Sequence, residues 1–240
     1  MFRSDSIVDA HVADRTPSND GDCVPLQVEV APRRIGRVQR GIKRLVDIAG
    51  ALFFFIVFGP LYLTVAISVR LSMGGPVHFW HYRFGENGKR FRFYKFRSMV
   101  HDSESVLEDF LVRNHVARTE WDTFQKLVDD PRITPLGRFI RKLSLDELPQ
   151  FWNVLKGDMS LVGPRPCMER QRSLYGRQWT HYCMVRPGIT GLWQVSGRNR
   201  LPYSKRVELD AHYVDNWSLW LDFKILLRTI KTVITAEGSR

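Results

Sequence analysis

The longest apolar stretch of the chain is 48–69, IAGALFFFIVFGPLYLTVAISV, which contains no charged residue. A bilayer-length helix needs about 20 apolar residues, so length and polarity predict a membrane-inserted helix rather than a buried core helix. Gly59 and Pro60 fall in its middle. Proline removes a backbone donor and clashes with the preceding turn, which predicts a kink there. Lys and Arg are dense on both sides: Arg33, Arg34, Arg37, Arg40, Lys43 and Arg44 before the stretch, and Arg70, Arg83, Lys89, Arg90, Arg92, Lys95 and Arg97 after it. The positive-inside rule places both flanks in the cytoplasm. A kinked helix that enters and leaves by the same leaflet satisfies both observations. A straight crossing is the second reading, since spanning helices tolerate proline.

Beyond this segment the pattern turns globular. A strand-like run at 76–81 and a second at 90–99 lie on either side of a turn at 85–88. On a strand, Arg90, Arg92, Tyr94 and Phe96 share one face and Phe91, Phe93, Lys95 and Arg97 the other. Helical patterns follow at 102–118 and 120–128, and two more close the chain at 203–217 and 219–236. In the last, Leu219, Trp220, Phe223, Leu226, Leu227, Ile230, Val233 and Ile234 recur at helical spacing, with Asp222, Lys224, Arg228 and Lys231 largely elsewhere on the wheel. Such a helix either covers a core or lies in the plane of a membrane interface. The expected class is α+β and predominantly helical: a tail at 1–32 without period, a basic flank and re-entrant helix at 33–71, and a cytoplasmic globular domain at 72–240 with amphipathic interfacial helices.

The formal charge of +11 makes anionic partners the expected ones. Alternating basic and aromatic residues in the 90–99 run fit nucleic-acid binding in isolation, but the bilayer segment immediately upstream argues against it, and nucleic acid is not expected as a partner. Cys23, Cys167 and Cys183 are odd in number and lack CxxC spacing, so neither a disulfide framework nor a zinc cluster is implied. The first residues are polar and acidic where a cleavable signal peptide has an apolar core.

Reactive side chains are densest at 129–166, DDPRITPLGRFIRKLSLDELPQFWNVLKGDMSLVGPRP. Asp146 and Glu147 are adjacent carboxylates, preceded by Arg132, Arg138, Arg141 and Lys142 and followed by Asp158 and Arg165. Acid pairs often do no more than favour the positive end of a helix dipole. The cations set this pair apart, because phosphoryl transfer needs fixed positive charge around the transferring group and a metal-binding or nucleophilic carboxylate. Arg138 is among the groups expected to meet substrate phosphates. Arg165, held between Pro164 and Pro166, is a stiffly mounted guanidinium suited to a phosphate or nucleotide. No GxxxxGK[ST], GxGxxG, HExxH or GxSxG motif occurs.

Taken together, KRLVDI, the Gly59-Pro60 pair, GGPVHFWHYRFGENGKRFRFYKFRSM, the 129–166 run, RPGITGLWQVSGRN and YVDNWSLWLDFKILLRTIKTVI resemble the bacterial sugar transferases. These are monotopic polyprenyl-phosphate phosphoglycosyl transferases, and the likeness is to the compact members that initiate exopolysaccharide synthesis. The resemblance implies a re-entrant helix at the cytoplasmic face of the bacterial inner membrane. It further implies transfer of a hexose 1-phosphate, galactose or glucose, from a UDP-sugar to undecaprenyl phosphate with release of UMP. Asp146 would be the nucleophile that forms a covalent sugar-phosphoryl enzyme. Glu147, with Asp146 beside it, would hold Mg²⁺. Arg141 matches the family's phosphate-binding arginine, Arg165 that of the nucleotide-binding loop, and Lys95 and Arg97 lie in its KFR motif. Membrane lipid is an expected partner, and homodimerisation is left open.

Overall fold

A computed structural model describes residues 36–124, 127–197 and 201–234. The tail expected at 1–32 lies outside the described residues. The described residues form one compact unit. The helix α1, Arg37–Met73, runs unbroken through Gly59 and Pro60. It therefore begins well before the apolar stretch and takes in most of the basic flank. Among the described residues it is the one helix long and apolar enough to cross a membrane. Ile56, Val57, Phe58 and Leu61 around the proline are exposed.

Both arms of α1 pack on the same globular unit. On the arm before Gly59, Ala51 joins Phe91, Phe93, Val154 and Met159, and the Phe54 ring stacks on Phe151 at 3.7 Å. On the arm after Pro60, Val65 and Val69 pack with Phe96 and Ile140. The first arm also carries polar ties. Lys43 Nζ donates to Asp222 Oδ2 (2.6 Å) and to the Val162 carbonyl (3.0 Å). Arg44 donates to the carbonyls of Val154 and Leu155 at 2.5 and 2.7 Å. Asp47 Oδ1 accepts from Ser160 Oγ (2.8 Å) and the Leu161 amide (2.9 Å). Charges that read as a flank in the sequence are thus turned inward as fasteners.

After α1 the chain reverses through Gly74 and Gly75, both at φ near +60°, a conformation that only glycine adopts cheaply. Strands β1 (His78–Phe84) and β2 (Arg90–Phe96) then pair antiparallel, His78 opposite Phe96 and Phe84 opposite Arg90. Phe91 and Phe93 turn inward, on the face the alternation predicts. The helix expected at 102–118 is two, α2 (Ser103–Arg113) and α3 (His115–Phe124), because the Asn114 side chain accepts from the Ala117 amide (3.0 Å) and starts a new helix. Next come α4 (Pro135–Lys142) and α5 (Gln150–Lys156). A short parallel pair, β3 (Ser160–Val162) with β4 (Gly188–Thr190), follows. Between those strands lie α6 (Arg172–Tyr175) and α7 (Trp179–Cys183), and after them α8 (Leu192–Val195).

The chain closes with α9 (Tyr203–Asp215) and α10 (Leu219–Ile234). In α10 the apolar residues divide between two faces. Ile225 enters a core with Val162, Val185, Tyr213, Val214 and Trp217, whereas Trp220, Phe223, Leu227 and Ile230 are exposed. Asp222 departs from its expected polar face: it is buried and accepts from Lys43, Tyr213 (2.7 Å) and the Trp217 indole (3.2 Å).

Candidate active site

The sequence around the acid pair builds a rigid mount. Thr134 caps α4, its Oγ1 accepting from the Gly137 amide at 2.9 Å, with Pro135 in the first turn. The helix ends at Lys142, and Ser144 adopts a left-handed conformation (φ +56°) rare for a residue with a side chain. That reversal leads straight into a single 3₁₀ turn, Leu145–Glu147, which aims both carboxylates at β2.

Lys95, on the inner face of β2, meets both. Its ammonium donates to Asp146 Oδ2 and to Glu147 Oε1, each at 2.9 Å. Arg165 Nη2 donates to the same Glu147 oxygen at 3.2 Å. Asp146 is 6% exposed. Burial pushes the Glu147 carboxyl up, but the charges of Lys95 and Arg165 and their hydrogen bonds outweigh it and hold it well below the usual carboxylate range. The two acids are therefore clamped between two cations from different elements.

Arg165 owes its position to the loop after β3. Gly163 lies so close to the backbone of Arg186 and Gly188 that a side chain there would collide with it, and this contact brings the Pro164-Arg165-Pro166 segment over the acid pair. The Arg165 guanidinium lies 5.9 Å from the Trp193 ring, and that of Arg206 lies 4.7 Å from it. Arg83, buried beneath the loop, donates to the Pro166 carbonyl (2.9 Å) and to His81 Nε2 (2.6 Å). Burial and the neighbouring Arg165 and Arg206 pull Arg83 down to about 9. Burial, followed by Arg83, Lys95, Arg165 and Arg170, pulls His81 down to about 3, so it stays neutral and accepts. The site thus gathers positive charge that its own acids only partly balance, which is the electrostatics of a phosphate-binding centre.

Of the residues expected from the sequence, the fold brings together Asp146, Glu147, Lys95 and Arg165. Arg97 sits elsewhere, donating to the carbonyls of Met73 and Gly74 at the end of α1. Arg138 and Arg141 are exposed on α4, and the charge of Arg141 acts on Asp130 rather than on the acid pair. Gly59 and Pro60 lie in α1, distant in sequence from the acids. His81, Arg83, Trp193 and Arg206 were missed. Only the alternation that puts His81, Arg83, Phe93 and Lys95 on one hairpin face could have signalled the first two.

No group of three or more His, Cys, Asp or Glu side chains able to cage a metal occurs among the described residues. Two adjacent carboxylates fit the alternative habit of Mg²⁺, which keeps several waters and binds one or two carboxylates together with substrate phosphates.

The family model for bacterial sugar transferases matches residues 38–236. The undecaprenyl-phosphate galactose phosphotransferase of Salmonella typhimurium is 49% identical over 203 residues, 85% of this chain and 42% of that protein. The exopolysaccharide production protein ExoY of Sinorhizobium fredii is 46% identical over 209 residues, 87% of this chain and 91% of that protein. A UDP-N-acetylgalactosamine-undecaprenyl-phosphate N-acetylgalactosaminephosphotransferase of Aeromonas hydrophila is 41% identical, over 83% of this chain and 45% of its own. The chain therefore spans less than half of the first and third of these relatives and most of the second.

Proposed function

The chain belongs to the bacterial sugar transferase family, and from that premise we propose that it moves a hexose 1-phosphate from a UDP-sugar to undecaprenyl phosphate, the first step of an exopolysaccharide. The observation that carries this reading is the buried Asp146 beside Glu147, clamped by Lys95 and Arg165. A Asp146 carboxylate oxygen attacks the phosphorus that bears the sugar. The bond from that phosphorus to the UMP oxygen breaks, UMP leaves with the electron pair, and an aspartyl sugar phosphate remains. A phosphate oxygen of undecaprenyl phosphate then attacks the same phosphorus and releases Asp146 as carboxylate.

Lys95 positions the Asp146 carboxyl in the free enzyme and then faces the charge that grows on the transferring phosphoryl oxygens. Arg165 suits the diphosphate, and Glu147 with Asp146 would hold Mg²⁺. When bound, Mg²⁺ neutralises phosphate and leaving-group charge. Galactose is the first choice of sugar, being the one named for the Salmonella relative; glucose rests on the family resemblance alone, and the Aeromonas relative makes an N-acetylated sugar the next choice.

Re-entry of α1 from the cytoplasmic face is part of the same reading. Its support is that Ala51 and Phe54 on one side of the proline, and Val65 and Val69 on the other, all pack on one globular unit, while Ile56, Val57, Phe58 and Leu61 between them are exposed.

The test is chemical. Detergent-solubilised enzyme given labelled UDP-galactose without acceptor should release UMP and keep sugar phosphate on the peptide containing Asp146, and Asp146→Asn should do neither. UMP release only when undecaprenyl phosphate is present would replace the covalent mechanism with direct transfer.

A further inference from the structure

The outward face of the β1–β2 hairpin takes no part in this chemistry. Its register sets Trp80 opposite Tyr94 and Tyr82 opposite Arg92, and alternation puts all four on one face. Trp80 and Tyr82 are 42% and 52% exposed and meet edge to face at 5.4 Å. The Arg92 guanidinium lies 4.7 Å over the Trp80 ring. From α5, the Lys156 ammonium lies 5.6 Å over Tyr94, and Trp152 is exposed nearby.

Two observations say what covers these rings. The hairpin's open end is fastened to the apolar helix just after Pro60: the Tyr62 hydroxyl and His78 Nε2 share a 2.6 Å hydrogen bond, and Tyr62 also packs on Phe96. On the other side of the proline, the Phe54–Phe151 stack sits immediately before Trp152. The aromatic face thus continues the exposed apolar surface of α1. The second observation is charge. Arg92 and Lys156 stand among the rings; Lys156 also faces Asp158 at 3.5 Å, whereas the side-chain hydrogen bonds of Arg92 go to Tyr82 and Tyr94 and neither strand contains an acid. Tryptophan and tyrosine with interleaved cations are the composition of a membrane–water interface that attracts anionic lipid.

We propose that this hairpin face and the exposed edge of α5 lie in the head-group layer of the membrane that holds α1, with anionic phospholipid as their ligand. The inference rests on α1 being membrane-inserted. Its consequence for catalysis is depth: Lys95 follows Tyr94 in β2 and points to the opposite side, so the Lys95–Asp146 centre is held one strand's thickness from the head groups, within reach of a lipid-borne phosphate.

The experiment uses nitroxide labels at Tyr82→Cys and Trp152→Cys, with Val57→Cys as the membrane reference and Glu104→Cys on α2 as the water reference. The other reactive cysteines are replaced, and the protein is held in nanodiscs of phosphatidylethanolamine and phosphatidylglycerol. Labels at 82 and 152 should lose accessibility to a water-soluble nickel chelate relative to 104 and show less oxygen accessibility than 57. Exchanging phosphatidylglycerol for phosphatidylcholine should restore part of the nickel accessibility. If 57 is in hydrocarbon while 82 and 152 are as wet as 104, the proposal fails and the membrane reading of α1 survives. If 57 is itself in water, both fail. Unchanged shielding after lipid exchange overturns the assignment to anionic lipid, and spin–spin broadening at 82 would assign the face to a second copy of the chain instead.

Discussion

At the scale of residues, the acid pair depends on its cations. Burial alone would push Glu147 up, and Lys95 and Arg165 reverse that. Lys95→Met should therefore raise the Glu147 carboxyl and move the acid limb of the pH–rate profile to higher pH. It should also lower kcat by roughly 10²–10³, the usual cost of removing one preorganised charge donor. An acid limb that stays in place would mean that Lys95 serves binding alone. Asp210, 1% exposed, accepts from the Tyr175 hydroxyl at 2.9 Å and faces Arg206 at 3.8 Å, with Arg165 farther off. Burial dominates these partners and pushes it up to about 7. The folded protein then binds more protons than the unfolded chain between about pH 4 and 7, so stability should fall as pH rises across that window and level off above it, by an amount on the order of 4 kcal/mol. Asp210→Asn should flatten the slope of thermal midpoint against pH in detergent; an unchanged slope would assign it to other groups.

At the scale of elements, α1 is bound to the unit by Lys43 and Asp222, an ion pair with both side chains largely buried and further satisfied by Tyr213, Trp217 and the Val162 carbonyl. Breaking such a pair leaves an uncompensated buried charge, so Asp222→Leu should cost roughly 3–5 kcal/mol. The double variant Lys43→Met with Asp222→Leu should recover much of that loss, because two apolar groups strand no charge. Thermal unfolding of the four proteins in one detergent checks this, and additive losses would show that the two side chains act independently. Other elements explain where sequence reading was accurate. The second strand run, the turn at 85–88 and α9 were legible because alternation, turn residues and helical periodicity act over a few residues, whereas the first run, expected at 76–81, extends to Phe84 where it pairs with β2. The break at Asn114 and the inward turn of Asp222 were not, because a capping bond and a buried lysine more than 170 positions away decided them.

At the scale of the whole molecule, both arms of α1 lie on one unit, so labels at the two ends of the apolar stretch should react from the same side. Single cysteines at Val46 and Leu71, probed with an impermeant maleimide in inverted and right-side-out vesicles, should behave alike. Opposite behaviour would mean that the helix crosses. Pro60→Ala restores the missing donor to the carbonyl of Ile56 and removes the ring that crowds the preceding turn. It should therefore loosen the packing of one arm, read as faster amide exchange at Val65 and Val69 or at Ala51 and Phe54.

What the sequence determined by itself was whatever depends on neighbours along the chain. The apolar stretch with its central proline, the acid pair amid cations, the stiff Pro-Arg-Pro segment and the alternating 90–99 run are all local patterns of polarity and backbone restriction. Which cations reach the acids was beyond it. Lys95, Arg97, Arg138 and Arg141 are equally basic in the sequence, yet Lys95 faces Asp146 while Arg97 closes the end of α1 and the other two point outward from α4. Only tertiary structure made that choice, because an ion pair is fixed by distance in space, and the distance here is set by a strand, a left-handed serine and a glycine contact far apart in the chain.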